Sequence, residues 1–315
     1  MADRHEYEVV IVGGGPAGLA AGLYTARAMR RTLLLERKVL GGQIALTSIV
    51  ENYPGFPDGV NGFDLGLAMH RQAEKYGLET AYAEVTAVEK VGERFRLRTT
   101  DDELWARAVI VAAGADPNRL GVPGEERLTG RGVSYCGTCD AAFFRDQEVA
   151  VVGGGDAAMD EALFIARYAR SVHVIHRRDA LRASKVLQER AFANPKIDFV
   201  WNTVVEQIEG VEAVERVHLR NVHTGERWVM PVAAVFIFIG QHPNTEWLGG
   251  LVPLDAGGHV PVNLWMETAV PGLFAAGDVR VDSARQVATA VGDGVTAAIR
   301  ADAYLSAAFP EHRFE

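Results

Sequence analysis

Two stretches of this chain are versions of one unit. EVVIVGGGPAGLAAGLYTARAMRRTLLLER fills 8–37, and EVAVVGGGDAAMDEALFIARYARSVHVIHR fills 148–177. Each runs from a β-branched apolar stretch through three glycines and an Ala-rich helical segment to a second apolar stretch. Strand, glycine turn, helix and parallel strand make the βαβ unit that binds a dinucleotide. Each copy later reaches an apolar run closed by glycine, AVIVAAG at 108–114 and AVFIFIG at 234–240. Alternating stretches at 82–100 and 205–222 precede those runs and read as a meander. The copies start at Glu8 and Glu148, too far apart for a solenoid. The fold class expected is therefore α/β, with two Rossmann-like (three-layer ββα) dinucleotide-binding domains. At 315 residues and 48% hydrophobic, the chain can fill two cores.

The glycines have mechanical work to do. Gly13 turns the chain out of the strand, Gly15 lets a pyrophosphate approach the backbone, and Gly18 lets the helix pack on the sheet. Pro16 and Ala17 open that helix, whose unpaired N–H groups and positive dipole end face the phosphates. The second copy has Gly153, Gly155 and Ala158 at these positions, with Asp156 and Ala157 opening its helix. The copies differ at the ribose end. The first ends in Glu36, an acceptor for ribose hydroxyls; the second ends in His176, Arg177 and Arg178. A basic cluster there suits a 2′-phosphate, so the second site is expected to take NADPH and the first a dinucleotide with a free 2′-hydroxyl. Arg182, four residues past Arg178, is expected on the same helical face, completing the clamp.

The only two cysteines, Cys136 and Cys139, sit in SYCGTCDAAFF at 134–144. One possible pair is no disulfide framework. A structural zinc site needs four ligands, and there is no second cysteine pair and no paired histidine spacing near the CxxC to supply them. No metal is expected. A net charge of −9 argues against general nucleic-acid binding. No stretch is long and apolar enough for a signal segment or membrane span, so a soluble, cytoplasmic protein is expected. An acidic and a basic ribose site suggest FAD and NADPH, and CxxC adds a third redox centre. Electron flow from nicotinamide to flavin to disulfide is the economical reading.

At this point the chain resembles the low-molecular-weight, bacterial-type thioredoxin reductases along nearly its whole length. The resemblance is carried by GGGPAGLAA with Glu36, GGQ (41–43), ENYPGFP (51–57), GRGVSYCGTCD (130–140), GGGDAAMDEA (153–162), HRRDALRASK (176–185), GQHPNT (240–245) and FAAGDVRVDSARQVATAVGDG (274–294). It implies a discontinuous FAD domain, 1–117 plus 246–315, with an NADPH domain inserted at 118–245. The hinges would be ADPNRLGVPG (115–124) and QHPNTEWLGG (241–250), allowing the disulfide and the nicotinamide to alternate beside the flavin. It places Gly41, Gly42, Gln43 and Asn52 along the isoalloxazine. Ala113, Gly277 and Asp278 join the flavin site, Asp278 on the ribityl chain, with Arg285, Gln286 and Val287 near the ring. Gly240 joins the nucleotide unit.

By the same resemblance, Cys139 faces the flavin, Cys136 is the interchange thiol, and Asp140 is the general acid. DAAFF reads as a helix start, which would put a positive helix end near the sulfurs. Thioredoxin or a thioredoxin-like protein is the implied partner, and a homodimer the implied assembly. The family usually has glycine where this chain has Ala141, which is tolerable if φ is negative there. It often has an aromatic residue where this chain has Ala284. A dithiol oxidase or ferredoxin-driven relative would not need the basic ribose cluster. A redox-sensing binding protein would bind NADPH without turning over a disulfide.

Overall fold

The protein is described by a computed structural model covering residues 5–46, 50 and 52–310. The chain forms two compact units, Met1–Asp116 with His242–Glu315, and Pro117–Gln241.

The first unit begins with β1 (Glu6–Val12), α1 (Pro16–Arg27), β2 (Thr32–Glu36), α2 (Gly62–Glu74) and β3 (Glu79–Tyr82). The strands β4 (Val85–Val91), β5 (Arg94–Thr99) and β6 (Glu103–Val111) follow. β3, β2, β1 and β6 lie side by side in parallel. The long β6 serves two partners on its far side. Its first half pairs antiparallel with β5, which pairs with β4, forming the meander. Val9, Val10 and Ile11 are fully buried, as a central parallel strand covered on both faces requires. Each such side chain contributes about 1.5–3 kcal/mol by leaving water.

The chain leaves this unit through β7 (Ala115–Pro117) and enters the second through α3 (Glu125–Leu128), β8 (Val133–Ser134) and α4 (Gly137–Asp140). The repeat then recurs as β9 (Glu148–Gly153), α5 (Asp156–Ile165), β10 (Ser171–Ile175), α6 (Lys185–Ala193) and β11 (Ile197–Val200). A meander of β12 (Thr203–Glu209), β13 (Arg216–Asn221) and β14 (Arg227–Pro231) leads to β15 (Ala234–Phe238). The sheet order is β11-β10-β9-β15-β8, all parallel, with the meander as a separate sheet.

The return strand, β16 (Gln241–Pro243), pairs with β7 in a two-stranded ribbon. Then β17 (Leu273–Ala275) adds to the second half of β6, and α7 (Val287–Ala308) packs on α1. Gly294 makes that helix contact possible, since a Cβ there would lie 2.1 Å from the Ala17 carbonyl oxygen.

Candidate functional site

Each glycine turn sits at the carboxyl end of its parallel sheet, where open α/β folds bind ligands. In the first unit Gly18 packs so tightly that a Cβ would lie 1.9 Å from the Gly13 carbonyl oxygen. Gly15 caps α1 with open space beside it, no side-chain cap and no acid in the first turn. The first N–H groups of α1 therefore point at a cradle that fits a pyrophosphate. Pro16 is the first residue of α1, and Ala17 is buried behind it. Glu36 is buried at the end of β2. Its Oε2 accepts the Gly14 N–H at 2.7 Å, and its Oε1 the Lys38 N–H at 2.7 Å. Each oxygen keeps acceptor capacity for a ribose hydroxyl.

Backbone contacts bring Gly41, Gly42 and Gly277 to this turn, and the other first-unit candidates have partners of their own. The Gly41 N–H donates to the Gly14 carbonyl at 2.8 Å, and a Cβ on Gly42 would lie 3.1 Å from the Gly15 Cα. Gln43 donates its amide to the Ala115 carbonyl. The Ala113 carbonyl accepts from Asn244 Nδ2 at 2.9 Å. Gly277 stands against Ala17, where a Cβ would be 3.0 Å from the alanine methyl. Asp278 accepts the Ser283 hydroxyl at 2.9 Å, and burial pushes its carboxyl above the usual range. Gln286 caps α7, Val287 is the first residue of that helix, and Arg285 precedes them with φ 56°. Asn52 donates to Gln286 Oε1 at 3.0 Å. Glu51, which opens the 51–57 motif, lies outside the described residues.

The Gly277 turn is fastened by a pair that sequence reasoning passed over. Asp293, buried within α7, accepts Arg280 Nε at 2.6 Å, Arg280 Nη2 at 3.1 Å and the Gly277 N–H at 3.1 Å. Its one sequence signal was an acid amid the apolar positions of a helix.

The second unit repeats the cradle. Gly155 caps α5 with open space beside it, and Gly153 leaves β9 against the Phe238 carbonyl. Gly240 lies two residues beyond Phe238, and its carbonyl accepts the Asn118 N–H at 3.0 Å. Gly154 packs on the His176 ring as Gly14 packs on Glu36, so His176 and Glu36 occupy corresponding places in the two units. Asp156 opens α5 and takes the Ser184 N–H at Oδ1; Ala157 beside it is exposed. His176 is buried, its Nε2 lies 3.1 Å from the Ala180 carbonyl, and burial lowers its basicity. It holds the loop rather than adding charge to it.

One expectation is corrected here. Residues 177–184 are not helical, and α6 starts only at Lys185, so Arg182 shares no helical face with Arg178. The Arg182 and Ala183 N–H groups bond the Gly154 carbonyl instead, at 2.7 and 3.2 Å. Pinning the loop to the glycine turn prevents an earlier helix start. Arg177, Arg178 and Arg182 are exposed, and no carboxylate among the described residues pairs with them. Arg37, the matching cation of the first copy, is engaged by Asp116 at 3.0 Å and Glu84 at 3.6 Å. Among the described residues, then, Arg37 has carboxylate partners and Arg177, Arg178 and Arg182 have none.

Cys136 and Cys139 form a disulfide with Cα atoms 5.3 Å apart. The chain leaves the sheet at Ser134, the last residue of β8, and the Cys136 N–H donates to Ser134 Oγ at 3.1 Å. A second expectation is corrected at this point. The helix begins before the second cysteine, with Cys136 as cap of the single turn α4, and 141–144 is a 3₁₀ turn. Asp140 therefore ends α4, and its side chain caps nothing. Burial raises the Asp140 carboxyl above the usual range, partly opposed by the Ser134 hydroxyl. Ala141 is buried with φ −57°, so its methyl fits without backbone strain.

The pyridine nucleotide-disulphide oxidoreductase family model matches residues 7–294. A thioredoxin reductase of Peptoclostridium litorale is 47% identical over 311 residues, covering 97% of this chain and 99% of that one. That of Streptomyces coelicolor is 47% identical over 313 residues, covering 98% and 96%. The crystal structure of thioredoxin reductase from Streptococcus pyogenes superposes with a TM-score of 0.85 at 44% identity, covering 97% of this chain and all of that one.

Proposed function

The chain belongs to the pyridine nucleotide-disulphide oxidoreductase family, and on that premise we propose how its residues divide the work. It is an oxidoreductase, a thioredoxin-disulfide reductase that uses FAD and NADPH. The observation that carries the division of labour is a Cys136–Cys139 disulfide on the same unit as an arginine cluster that has no carboxylate partner among the described residues.

FAD belongs to the discontinuous unit, where the Gly13–Gly18 turn takes the pyrophosphate, Glu36 a ribose and Asp278 the ribityl chain. NADPH belongs to the inserted unit, with Gly153 and Gly155 at the pyrophosphate and Arg177, Arg178 and Arg182 at the 2′-phosphate. When bound, FAD passes to a disulfide the electrons it receives from NADPH. The thiol chemistry then falls to this chain. The Cys136 thiolate attacks the partner's disulfide, forming one sulfur–sulfur bond and breaking another. Cys139 attacks Cys136 in turn, releasing the partner as a dithiol and restoring the intramolecular disulfide. Asp140, kept protonated to higher pH by burial, gives its proton to the departing thiolate.

These exposed arginines favour NADPH over a ferredoxin as the electron source. A homodimer in the cytoplasm completes the reading, supported by family likeness. No helix among the described residues is long and apolar enough to cross a membrane. Replacing Cys136 by serine tests the thiol assignment. The variant should reduce no protein disulfide yet still bleach its flavin with NADPH, and retained disulfide turnover would refute the assignment.

A further inference from the structure

Glu161 is a charge that the chemistry above does not use. It lies on α5, the helix whose first turn is the nucleotide cradle. Its side chain reaches α4. A Cβ on Gly137 would lie 2.3 Å from Glu161 Oε2, so the CxxC turn rests directly on this carboxyl, and a side chain there would displace it. The same Cβ would lie 3.0 Å from Ile165 Cδ1, one turn further along α5. Glu161 Oε2 is shielded from solvent and has no hydrogen bond of ordinary geometry to any described residue. It faces the Gly137 and Thr138 N–H groups, which favour its charged form. Burial outweighs them, and with nearby Asp160 it pushes the carboxyl up to about 7. The segment it faces carries Cys136 at the cap of α4 and Cys139 and Asp140 within it, and the 141–144 turn that follows carries no titratable group.

We propose that Glu161 is a positioning residue for the disulfide chemistry, a carboxyl set by the nucleotide helix beneath the Gly137–Thr138 peptide that fixes the CxxC turn and takes up a proton when the turn becomes a thiolate. The inference rests on the thiol assignment made above. Reduction breaks the Cys136–Cys139 bond with two electrons supplied through the flavin. One sulfur takes a proton from solvent and the other stays a thiolate. The new negative charge beside Glu161 draws a second proton from solvent onto its carboxyl, so the buried turn gains no uncompensated charge. Below about pH 7 the carboxyl is already neutral; above it, the carboxylate raises the cost of forming the thiolate.

The test uses the flavin-loaded protein reduced with a phosphine, and follows iodoacetamide alkylation of Cys136 against pH by mass spectrometry. Glu161→Gln keeps the shape and removes the charge. Its thiolate titration should show a midpoint lower by on the order of one pH unit, as loss of a nearby like charge predicts. Glu161→Ala removes the support, and should slow protein-disulfide turnover about tenfold or more while NADPH affinity is unchanged. That corresponds to roughly 1.4 kcal/mol. A Gln profile that superposes on the wild type overturns the proposal. So does an Ala variant that loses NADPH affinity in parallel with turnover, because Glu161 would then serve only to hold α5. A wild-type protein whose reduced Cys136 cannot be alkylated at any pH overturns the thiol assignment itself, and the proposal with it.

Discussion

Replacing Arg177 and Arg178 by alanine should separate the two nicotinamide nucleotides. Both side chains are exposed and neither has an acidic partner among the described residues. Their removal therefore strands no buried charge and breaks no ion pair, and the fold should be unaffected. The loss falls on the ligand. A hydrogen bond to a charged group contributes about 1.5–3 kcal/mol, and solvent around these guanidinium groups places each near or below the lower end. Two of them supply about 2–3 kcal/mol, or roughly a 30- to 150-fold rise in the NADPH KM. NADH lacks the 2′-phosphate, so its KM should barely change. Steady-state reduction of a small disulfide with each nucleotide reads both numbers. Because the contact is ionic, the wild-type preference should also shrink with added salt. Equal effects on NADPH and NADH would refute the assignment of this loop to the 2′-phosphate. The paired state of Arg37 supplies the control: Arg37→Ala should leave the nucleotide preference unchanged.

Asp293→Ala leaves the Arg280 guanidinium without its partner in a largely buried place, which should cost the first unit about 3–5 kcal/mol. Denaturation followed by flavin fluorescence should show earlier flavin release, and an unchanged midpoint would mean that the pair does not fasten the Gly277 turn. Asp140→Asn should slow turnover with oxidised thioredoxin by about 100-fold or more, the usual contribution of a positioned acid. The sign of the pH effect follows from the raised carboxyl: wild-type turnover falls as pH rises through that value, and the variant should lose this limb. A variant with the wild-type profile would remove Asp140 from the proton transfer.

What was legible in the sequence was the repeat and its chemistry. One such glycine turn is weak evidence, but two copies point to two dinucleotide units, and His176-Arg177-Arg178 in place of Glu36 is the difference on which the proposed NADPH preference rests. The local geometry beyond the glycines was less legible. Residues 178–184 have helix-compatible composition, yet two backbone bonds to Gly154 hold them in a loop until Lys185. DAAFF looked like a helix start because nothing in the letters shows that Cys136 already caps a turn. Buried polar supports were the least legible of all. Glu125 illustrates this: it is buried and accepts the Leu120 and Gly121 N–H groups and the Tyr135 hydroxyl, so it ties the 120–121 segment to the residue before Cys136. In the sequence it is one of two consecutive acids in PGEE. A side chain's partners come from distant positions, and no local pattern records them.

The most direct test of the central claim is an anaerobic titration of the flavin-loaded protein with NADPH, followed by flavin absorbance and by counting free thiols. The account predicts that the flavin bleaches, that electrons are taken up for both flavin and disulfide, and that Cys136 and Cys139 become titratable thiols. A flavin that stays oxidised, or one that bleaches while the disulfide remains closed, would contradict it.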